Sequence, residues 1–212
     1  MKPDPDRNYG SAQGSRDGWI EAAYRVLVEQ GVEHVKLGAL AKSLGLSRTS
    51  FYWHFSDRED LLNALIQRWN QQNTDTLIGR TERYAETITE AMLNLSDCWV
   101  DPSLFDARLD FAIRNWAQAA PDLHAALKQA DADRIAAITA MFLRFGYDLE
   151  TADIRARTVY LTQVGYISMT TVEPLDLRLS RIPGYVEAFT GCRPSSGEFD
   201  RFASRHQTGK AA

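Results

Sequence analysis

Polar and aromatic side chains that can bond to nucleic acid follow one another in the short stretch from Ser47 to Phe55. An arginine fork can hold a guanine edge through two hydrogen bonds, and serine and threonine hydroxyls can bond to several bases. Tyrosine and histidine donors suit phosphate oxygens. If the stretch is helical, Phe51 and Phe55 lie one turn apart and point into a core. The side chains left to bind bases or phosphates are Arg48, Thr49, Ser50, Tyr52, Trp53 and His54.

The chain just before this stretch predicts the helix that must support it. Apolar residues recur there at helical spacing along one face, at Leu37, Leu40, Ala41 and Leu44. Gly45 follows at once and can adopt the left-handed conformation that ends a helix. Ser47 is placed to cap the next helix, so two helices joined by a tight turn are expected.

A longer helix is predicted to start at Asp57. Ser56 and Glu59 form an S-x-x-E capping box ahead of an apolar run. The helix should continue past Trp69, with a break near Gly79. It is the continuous element that could carry a shift in the rest of the chain to the polar stretch.

The order of helix, tight turn, short polar helix and capped longer helix is that of a helix-turn-helix domain. The block LAKSLGLSRTSFYWHFSDREDLL resembles the DNA-binding domain of the TetR family of bacterial transcriptional regulators. The resemblance is strong over residues 15–62 and elsewhere extends only to helical character and length. It implies an all-α fold, with an N-terminal three-helix helix-turn-helix DNA-binding domain and a C-terminal helical domain for ligand binding and dimerisation.

Two residues depart from the pattern of the family. Lys36 stands where relatives usually carry a Ser or Thr that caps the second helix and bonds to a phosphate. Its ammonium cannot cap, but it can hold a phosphate as a point charge. Gly38 stands where many relatives carry a longer polar side chain. Lys36 and Arg58, which are both positively charged, are therefore included among the predicted DNA-binding residues. More of the base reading is expected from the segment 48–54.

Three segments are expected along the chain. Residues 1–14 are rich in Pro, Gly and polar residues and are predicted to be a disordered arm. Residues 15–62 form the DNA-binding domain, whose first helix runs from about residue 15 to 30. Residues 63–212 form the helical effector-binding and dimerisation domain, in which one helix covers about residues 151–172. No alternating pattern there is long enough to propose a sheet.

The second domain is expected to hold an apolar pocket with a few polar groups. We expect aromatic residues of this region to line it, with polar side chains that orient a ligand. These candidates are Trp99, Phe105, Arg108, Phe111, Trp116, Phe142, Tyr147, Tyr160 and Gln163. Any one of them is more commonly a core or surface residue than a ligand contact.

The resemblance places a two-fold dimer interface on the helix at residues 151–172. Small residues permit close approach of two helices there, and larger ones can fill the contact. The candidates are Ala156, Tyr160, Gly165, Tyr166, Ser168 and Met169. Packing within one chain is the alternative explanation of the same residues.

Composition excludes several classes of protein. The chain has 212 residues, 44% of them hydrophobic, and a net charge of −4. No apolar run approaches the about 18 residues of a membrane helix, and the N-terminus lacks a signal-peptide pattern, so we expect a cytoplasmic protein with no membrane partner. Cys98 and Cys192 are expected to be buried thiols, and no metal-ligand spacing occurs.

No nucleotide-binding, hydrolase or metalloprotease motif is present, so neither an enzyme nor a cofactor is expected. The predicted function is a homodimeric repressor that binds double-stranded DNA at a palindromic operator. An unidentified small-molecule effector would release it. The alternative is a DNA-binding regulator without a small-molecule ligand, controlled by a protein partner or by its abundance.

Overall fold

A computed structural model describes residues 14–207, and within that range every regular element is helical. This confirms the expected all-α fold. The predicted disordered arm at residues 1–14 lies outside the described residues, apart from Gly14.

The first helix, α1 (Arg16–Gln30), has the predicted bounds. The Ser15 hydroxyl caps it by accepting a hydrogen bond from the Gly18 backbone N–H at 3.1 Å. Gly31 ends it with φ of 90°, and a short 3₁₀ turn (Val32–His34) leads to the next helix. Trp19 on α1 is fully buried, so the helix packs its apolar face into the core.

The next two helices are α2 (Leu37–Leu44) and α3 (Arg48–Phe51). Gly45 ends α2 in the left-handed conformation, with φ of 67°, as predicted. The Ser47 hydroxyl caps α3 by accepting from the Ser50 N–H at 3.3 Å. Lys36 precedes α2 and makes no side-chain capping bond. The α3 helix is shorter than the predicted range, because residues 52–54 form a turn.

The start of α4 (Arg58–Trp69) corrects the predicted capping box. The cap is Asp57, whose carboxylate accepts from the Asp60 N–H at 2.9 Å, while Asp60 accepts from the Ser56 N–H at 3.0 Å. The box therefore lies one residue later than the pair Ser56 and Glu59. Aspartate caps a helix as well as serine does, so the two overlapping boxes compete and local sequence does not separate them.

The helix after α4 does not break at Gly79, which is a second correction. It continues through a π-helical turn (Asn70–Asp75) into α5 (Thr76–Glu82), which contains Gly79. The buried Asn73 amide donates to the Asp106 carbonyl at 3.0 Å and its oxygen accepts from the Asp106 N–H at 2.9 Å. The π-helical turn is therefore the place where this helix is hydrogen-bonded to the loop that contains Asp106.

The rest of the described chain consists of six helices. These are α6 (Ile88–Val100), α7 (Ala107–Ala117), α8 (Pro121–Arg144), α9 (Leu149–Ser168), α10 (Leu175–Thr190) and α11 (Ser196–Gln207). The α9 helix ends four residues before the predicted limit at Val172. Pro183 lies inside α10.

The hydrophobic core does not divide at residue 62. Trp19, Phe51 and Leu65 of α1, α3 and α4 belong to one buried cluster with Ile113 of α7 and Leu127 of α8. A second cluster joins the later helices. The helix-turn-helix region is therefore packed directly against α7 and α8, and the domain limits at 62 and 63 stay predictions.

Candidate functional site

The exposed side chains around α3 form a surface that we call the α3 surface: Arg48, Thr49, Tyr52 and Trp53. Trp53 is 77% exposed and Tyr52 is 59% exposed. Two large aromatic side chains exposed side by side are unusual on a monomer surface, because burial of an aromatic side chain stabilises the folded protein. The arrangement suits contact with another molecule.

A stack of buried rings holds the α3 surface in place. Phe51 and Phe55 stack with ring centroids 5.3 Å apart, and the edge of Trp19 meets Phe51 at 5.2 Å. Both phenylalanines are buried, as predicted. Their burial leaves the intervening turn at the surface, so the core fixes which side chains of this segment face outward.

Two predicted DNA-binding residues are engaged within the protein. Ser50 is buried, and its hydroxyl donates to the Ser47 carbonyl at 2.8 Å, which corrects the expectation that it lies on the exposed side of α3. The hydroxyl is turned back onto the start of its own helix, where the Ser47 carbonyl accepts its hydrogen bond. The His54 ring Nε2 lies 2.7 Å from the Gly14 carbonyl and donates to it.

Of the two basic residues predicted to bind DNA, Lys36 is exposed and Arg58 is bonded within the protein. The Lys36 side chain is exposed at the start of α2. The Arg58 guanidinium donates to the Val35 carbonyl at 2.7 Å and to the Val32 carbonyl at 2.8 Å. Arg58 therefore fastens the α1–α2 connection to α4, and its DNA-binding role stays a prediction.

Gly38 gives room to Arg48. A Cβ atom added at Gly38 would lie 2.7 Å from Arg48 Nη2, well inside van der Waals contact. The Arg48 guanidinium thus occupies the space that a longer side chain would take on α2. The departure from the family's pattern at position 38 is linked in space to a predicted base-reading side chain.

Residues 20–65 match the sequence model of a family described as bacterial regulatory proteins, tetR family. The chain is 39% identical over 54 residues to the HTH-type transcriptional regulator AcrR of Shigella flexneri, covering 26% of this chain and 25% of AcrR. It is 37% identical over 60 residues to TtgR of Pseudomonas putida, covering 28% and 29% of the two chains. Over residues 20–65 the chain therefore has the helix-turn-helix sequence of the tetR family.

These two matches span 25% and 29% of the curated relatives' length, and the match to the family model lies in the helix-turn-helix region. Solved structures extend the likeness in fold. AmtR of Mycobacterium smegmatis has a TM-score of 0.65 at 17% identity and covers 97% of each chain. A transcriptional regulator from Rhodococcus sp. Rha1 has a TM-score of 0.53 at 17% identity and covers 92% and 97%. The C-terminal helices therefore share the fold of these solved structures.

A second feature of the chain is a cavity of about 940 Å³, here called the central cavity. Helices α6, α7, α9 and α10 line it, and so do Tyr24 of α1 and Arg68 of α4. Five of the predicted pocket residues lie on its wall, namely Trp99, Phe105, Arg108, Phe111 and Gln163. Sequence reasoning missed the contribution of α1 and α4.

Four predicted pocket residues lie away from this wall. Phe142 is buried in the second core cluster, and Trp116 packs against the first. The Tyr147 hydroxyl donates to the Thr190 carbonyl at 2.5 Å. Tyr160 is buried and its hydroxyl donates to Asp131 at 2.6 Å. Each of these four has a structural place, and a role in ligand binding stays an untested expectation.

Tyr160 belongs to a buried polar cluster that we call the Asp110 network. Its members come from the α4–π junction and from α7, α8 and α9: Trp69, Thr74, Asp110, Arg114, Asp131, Arg134 and Tyr160. Asp110 Oδ1 accepts from the Trp69 indole at 2.8 Å and from Arg134 at 3.1 Å. Its other oxygen accepts from Arg114 at 2.7 Å.

The charge state of Asp110 follows from these partners. Burial by itself would raise the pKa of this carboxyl, but the guanidinium groups of Arg134 and Arg114 and the Trp69 hydrogen bond hold its pKa below the usual value. Arg134 is also fully buried and donates to the Thr74 hydroxyl at 2.8 Å. In the sequence, the signals for this cluster are the helical spacings of two opposite-charge pairs, Asp110 with Arg114 and Asp131 with Arg134.

The predicted dimer residues fall into three groups by exposure. Ala156 and Tyr160 are buried within the chain, whereas Ser168 and Met169 are exposed. Gly165 and Tyr166 are partly exposed, and the Tyr166 hydroxyl bonds to the Tyr185 hydroxyl at 2.6 Å. Sequence reasoning did not select Ile154 and Leu161, which are 57% and 58% exposed on α9. Their spacing of seven residues puts them on one face.

The two cysteines differ in exposure. Cys98 is buried, which raises its thiol pKa to about 12, and Cys192 is exposed, contrary to the expectation of two buried thiols. Between residues 14 and 207 no helix has the length and apolar character that a membrane crossing needs. Over the same range no three His, Cys, Asp or Glu side chains are grouped to hold a metal ion.

Proposed function

We propose that this TetR-family chain is a cytoplasmic, non-enzymatic transcriptional regulator that binds a palindromic operator through the α3 surface. The observation that carries the proposal is the exposure of Arg48 on a short capped helix, and of Tyr52 and Trp53 in the turn after it, with buried rings behind them. Arg48 supplies a fork for a base edge, and Tyr52 supplies a hydroxyl for a phosphate. Lys36 adds an exposed positive charge beside them.

The proposed function needs two copies of the chain. One recognition helix contacts few base pairs, and two of them about 34–36 Å apart read an inverted repeat. The exposed apolar side chains of α9, Ile154 and Leu161, support a dimer face on this helix. The division into a DNA-binding segment 15–62 and a regulatory segment 63–212 is kept as a division of roles, not of packing.

Release of the operator by a small molecule is the proposed mode of regulation. The central cavity supports this mode because its wall includes Tyr24 of α1 and Arg68 of α4. An occupant therefore contacts both the helix-turn-helix region and the later helices, and it can bias the orientation of the α3 surface. Because coupling is reciprocal, an effector that weakens operator binding tenfold must itself bind tenfold more weakly to the DNA complex.

The test is selection of bound DNA from a random pool with the purified chain at near-physiological salt. Enrichment of an inverted repeat with half-sites about one helical turn apart is the expected result. Binding that is only salt-sensitive and not sequence-dependent would contradict the proposed sequence-specific function.

The dimer face is tested by Leu161→Glu, which should convert a dimer into monomers in analytical ultracentrifugation and abolish tight binding to the full inverted repeat. Tyr84→Glu is the matched control, because Tyr84 is also a highly exposed large side chain but lies outside α9. An unchanged dimer in the Leu161→Glu variant would remove this face of α9 from the proposal.

A further inference from the structure

The wall of the central cavity has more positively than negatively charged side chains. Four guanidinium groups line it, from Arg68, Arg108, Arg178 and Arg181. Two carboxylates line it, from Asp106 and Glu173. The wall therefore carries an excess of positive charge although the whole chain is negative.

Both carboxylates are already engaged. Asp106 Oδ1 accepts from the Leu109 N–H at 2.9 Å and caps α7, while Oδ2 accepts from the Tyr24 hydroxyl at 2.7 Å. Glu173 pairs with Arg181. Neither carboxylate forms an ion pair with Arg68, Arg108 or Arg178.

Arg68 also has a carboxylate partner outside the cavity wall. Its guanidinium bonds to Glu21 at 2.8 Å and lies over the Tyr24 ring, 4.4 Å from the centroid. Its charge is therefore compensated, and its position is fixed against α1.

Arg108 and Arg178 remain without such a partner. Within residues 14–207 neither has a carboxylate oxygen within ion-pair distance. Arg178 is partly buried on α10 and uses one N–H group on the Trp99 carbonyl. A guanidinium carries five N–H donors, so most of its donors are left for an anion. A partly desolvated cation also attracts an anion more strongly than a hydrated one does.

The rest of the wall is largely apolar. Aromatic and aliphatic side chains supply it, chiefly Trp99, Val100, Phe105, Phe111, Ile167 and Ile182. A volume of about 940 Å³ is at the upper end of the range of small-molecule pockets. The surface therefore suits a ligand with a large apolar body and one negatively charged end.

We propose that the central cavity binds an amphipathic carboxylic acid, whose carboxylate is held by Arg178 and Arg108 and whose aliphatic or aromatic body lies against the apolar wall. The inference rests on the proposed effector-controlled function and names the chemical class of that effector. A cationic lipophilic compound is disfavoured, because burying it beside unpaired guanidinium groups adds like-charge repulsion. A neutral compound of the same shape gains the apolar contacts but leaves the arginines unpaired.

The test uses the free full-length chain and a panel of alkanoic and arylalkanoic acids of eight to sixteen carbons, each paired with its primary amide. Binding is measured by isothermal titration calorimetry without DNA. At least one acid is expected to bind ten times more tightly than its amide. Arg178→Gln should lower the affinity for that acid about tenfold and leave the affinity for the amide unchanged.

Arg193→Gln is the matched control, because Arg193 is exposed, pairs with Glu187 and does not line the cavity. It removes the same charge and should leave both affinities unchanged. Equal affinities for acids and amides, or no binding across the panel, would overturn the proposal. Because operator selection is carried out on the ligand-free chain, either failure is separate from a failure of DNA binding.

Discussion

The α3 surface and the Asp110 network both combine arginines with aromatic rings, but they use them in opposite ways. On the α3 surface the rings and Arg48 are exposed, and no described residue forms a hydrogen bond or an ion pair with the Arg48 guanidinium. In the network Arg134 is fully buried, lies 5.0 Å from the Trp69 ring centroid and has its donors placed on protein acceptors. The first region has polar groups left for another molecule, and the second has them satisfied within the chain.

The two regions also contribute to different free energies, the α3 surface to that of binding and the Asp110 network to that of folding. Exposed groups of the α3 surface contribute little to folding, since water satisfies them in both states, so their value is in binding. The network joins the α4–π junction to α7, α8 and α9, and its central pair, Asp110 and Arg134, is closed to water once the chain is folded. Substitutions should therefore affect DNA affinity in the first region and the free energy of unfolding in the second.

The largest expected effect is that of Asp110→Ala. It leaves Arg134 and Arg114 buried with one carboxylate fewer, so the free energy of unfolding should fall by about 3–5 kcal/mol. Urea unfolding followed by circular dichroism measures it. Asp153→Ala is the control, because the Asp153–Arg157 pair is largely exposed, and it should leave stability unchanged. Similar stabilities for the two variants would show that the network is not what holds these helices together.

The sequence was sufficient where the signals were local. Gly45 and Ser47 predicted the α2–α3 turn because a left-handed glycine and a cap act within a few residues. The same local rules failed for Ser56, because Asp57 offered a competing cap one residue later. They also failed for Ser50, which is buried and whose hydroxyl donates to the Ser47 carbonyl.

The sequence was insufficient where contacts join distant residues. Arg134 meets Thr74 across 60 positions and Tyr160 across 26. No periodicity encodes such pairs, so Tyr160 read as a pocket or dimer residue on composition alone. The central cavity illustrates the same limit, since Tyr24 joins it only through the packing of α1 against later helices.

The second prediction concerns the pH dependence of the Asp110 network. The folded pKa of Asp110 is lowered, so its stabilising contribution is present above the ordinary aspartate pKa and is lost as the pH falls through the lowered value. The stability difference between wild type and Asp110→Asn should therefore shrink below about pH 4, by at most about 1.4 kcal/mol per pH unit. Urea unfolding at several pH values from 3 to 6 measures it, and a constant difference would contradict the cause given for the lowered pKa.

The third prediction concerns the α3 surface. Arg48→Ala should lower affinity for the selected operator by about 1–3 kcal/mol and relax base preference at one position of each half-site, because a fork to a base edge is lost. Fluorescence anisotropy at fixed salt measures the affinity. Arg25→Ala removes an exposed arginine from α1 and serves as the control. Equal operator affinity for wild type and Arg48→Ala would remove Arg48 from the proposed contacts.

The smallest expected effect is that of Gly38→Ala, and it tests how the α3 surface is shaped. The new Cβ would lie 2.7 Å from Arg48 Nη2, so the guanidinium must move, which a flexible side chain can do at little cost to stability. Alanine is also the better helix former, by about 0.5–1 kcal/mol within a helix. Stability should hold or rise slightly while operator affinity falls by less than about 1 kcal/mol, the cost of an about 30° departure from a preferred side-chain torsion.

A double-mutant cycle decides whether that loss acts through Arg48. If Gly38 matters because it gives room to the guanidinium, Gly38→Ala should change operator affinity in the wild-type background and have no effect in the Arg48→Ala background. The selected base preference should shift at the same half-site position in both single variants. If Gly38→Ala weakened the operator equally in both backgrounds, position 38 would act on DNA by itself, and the space above Gly38 would not be what orients Arg48.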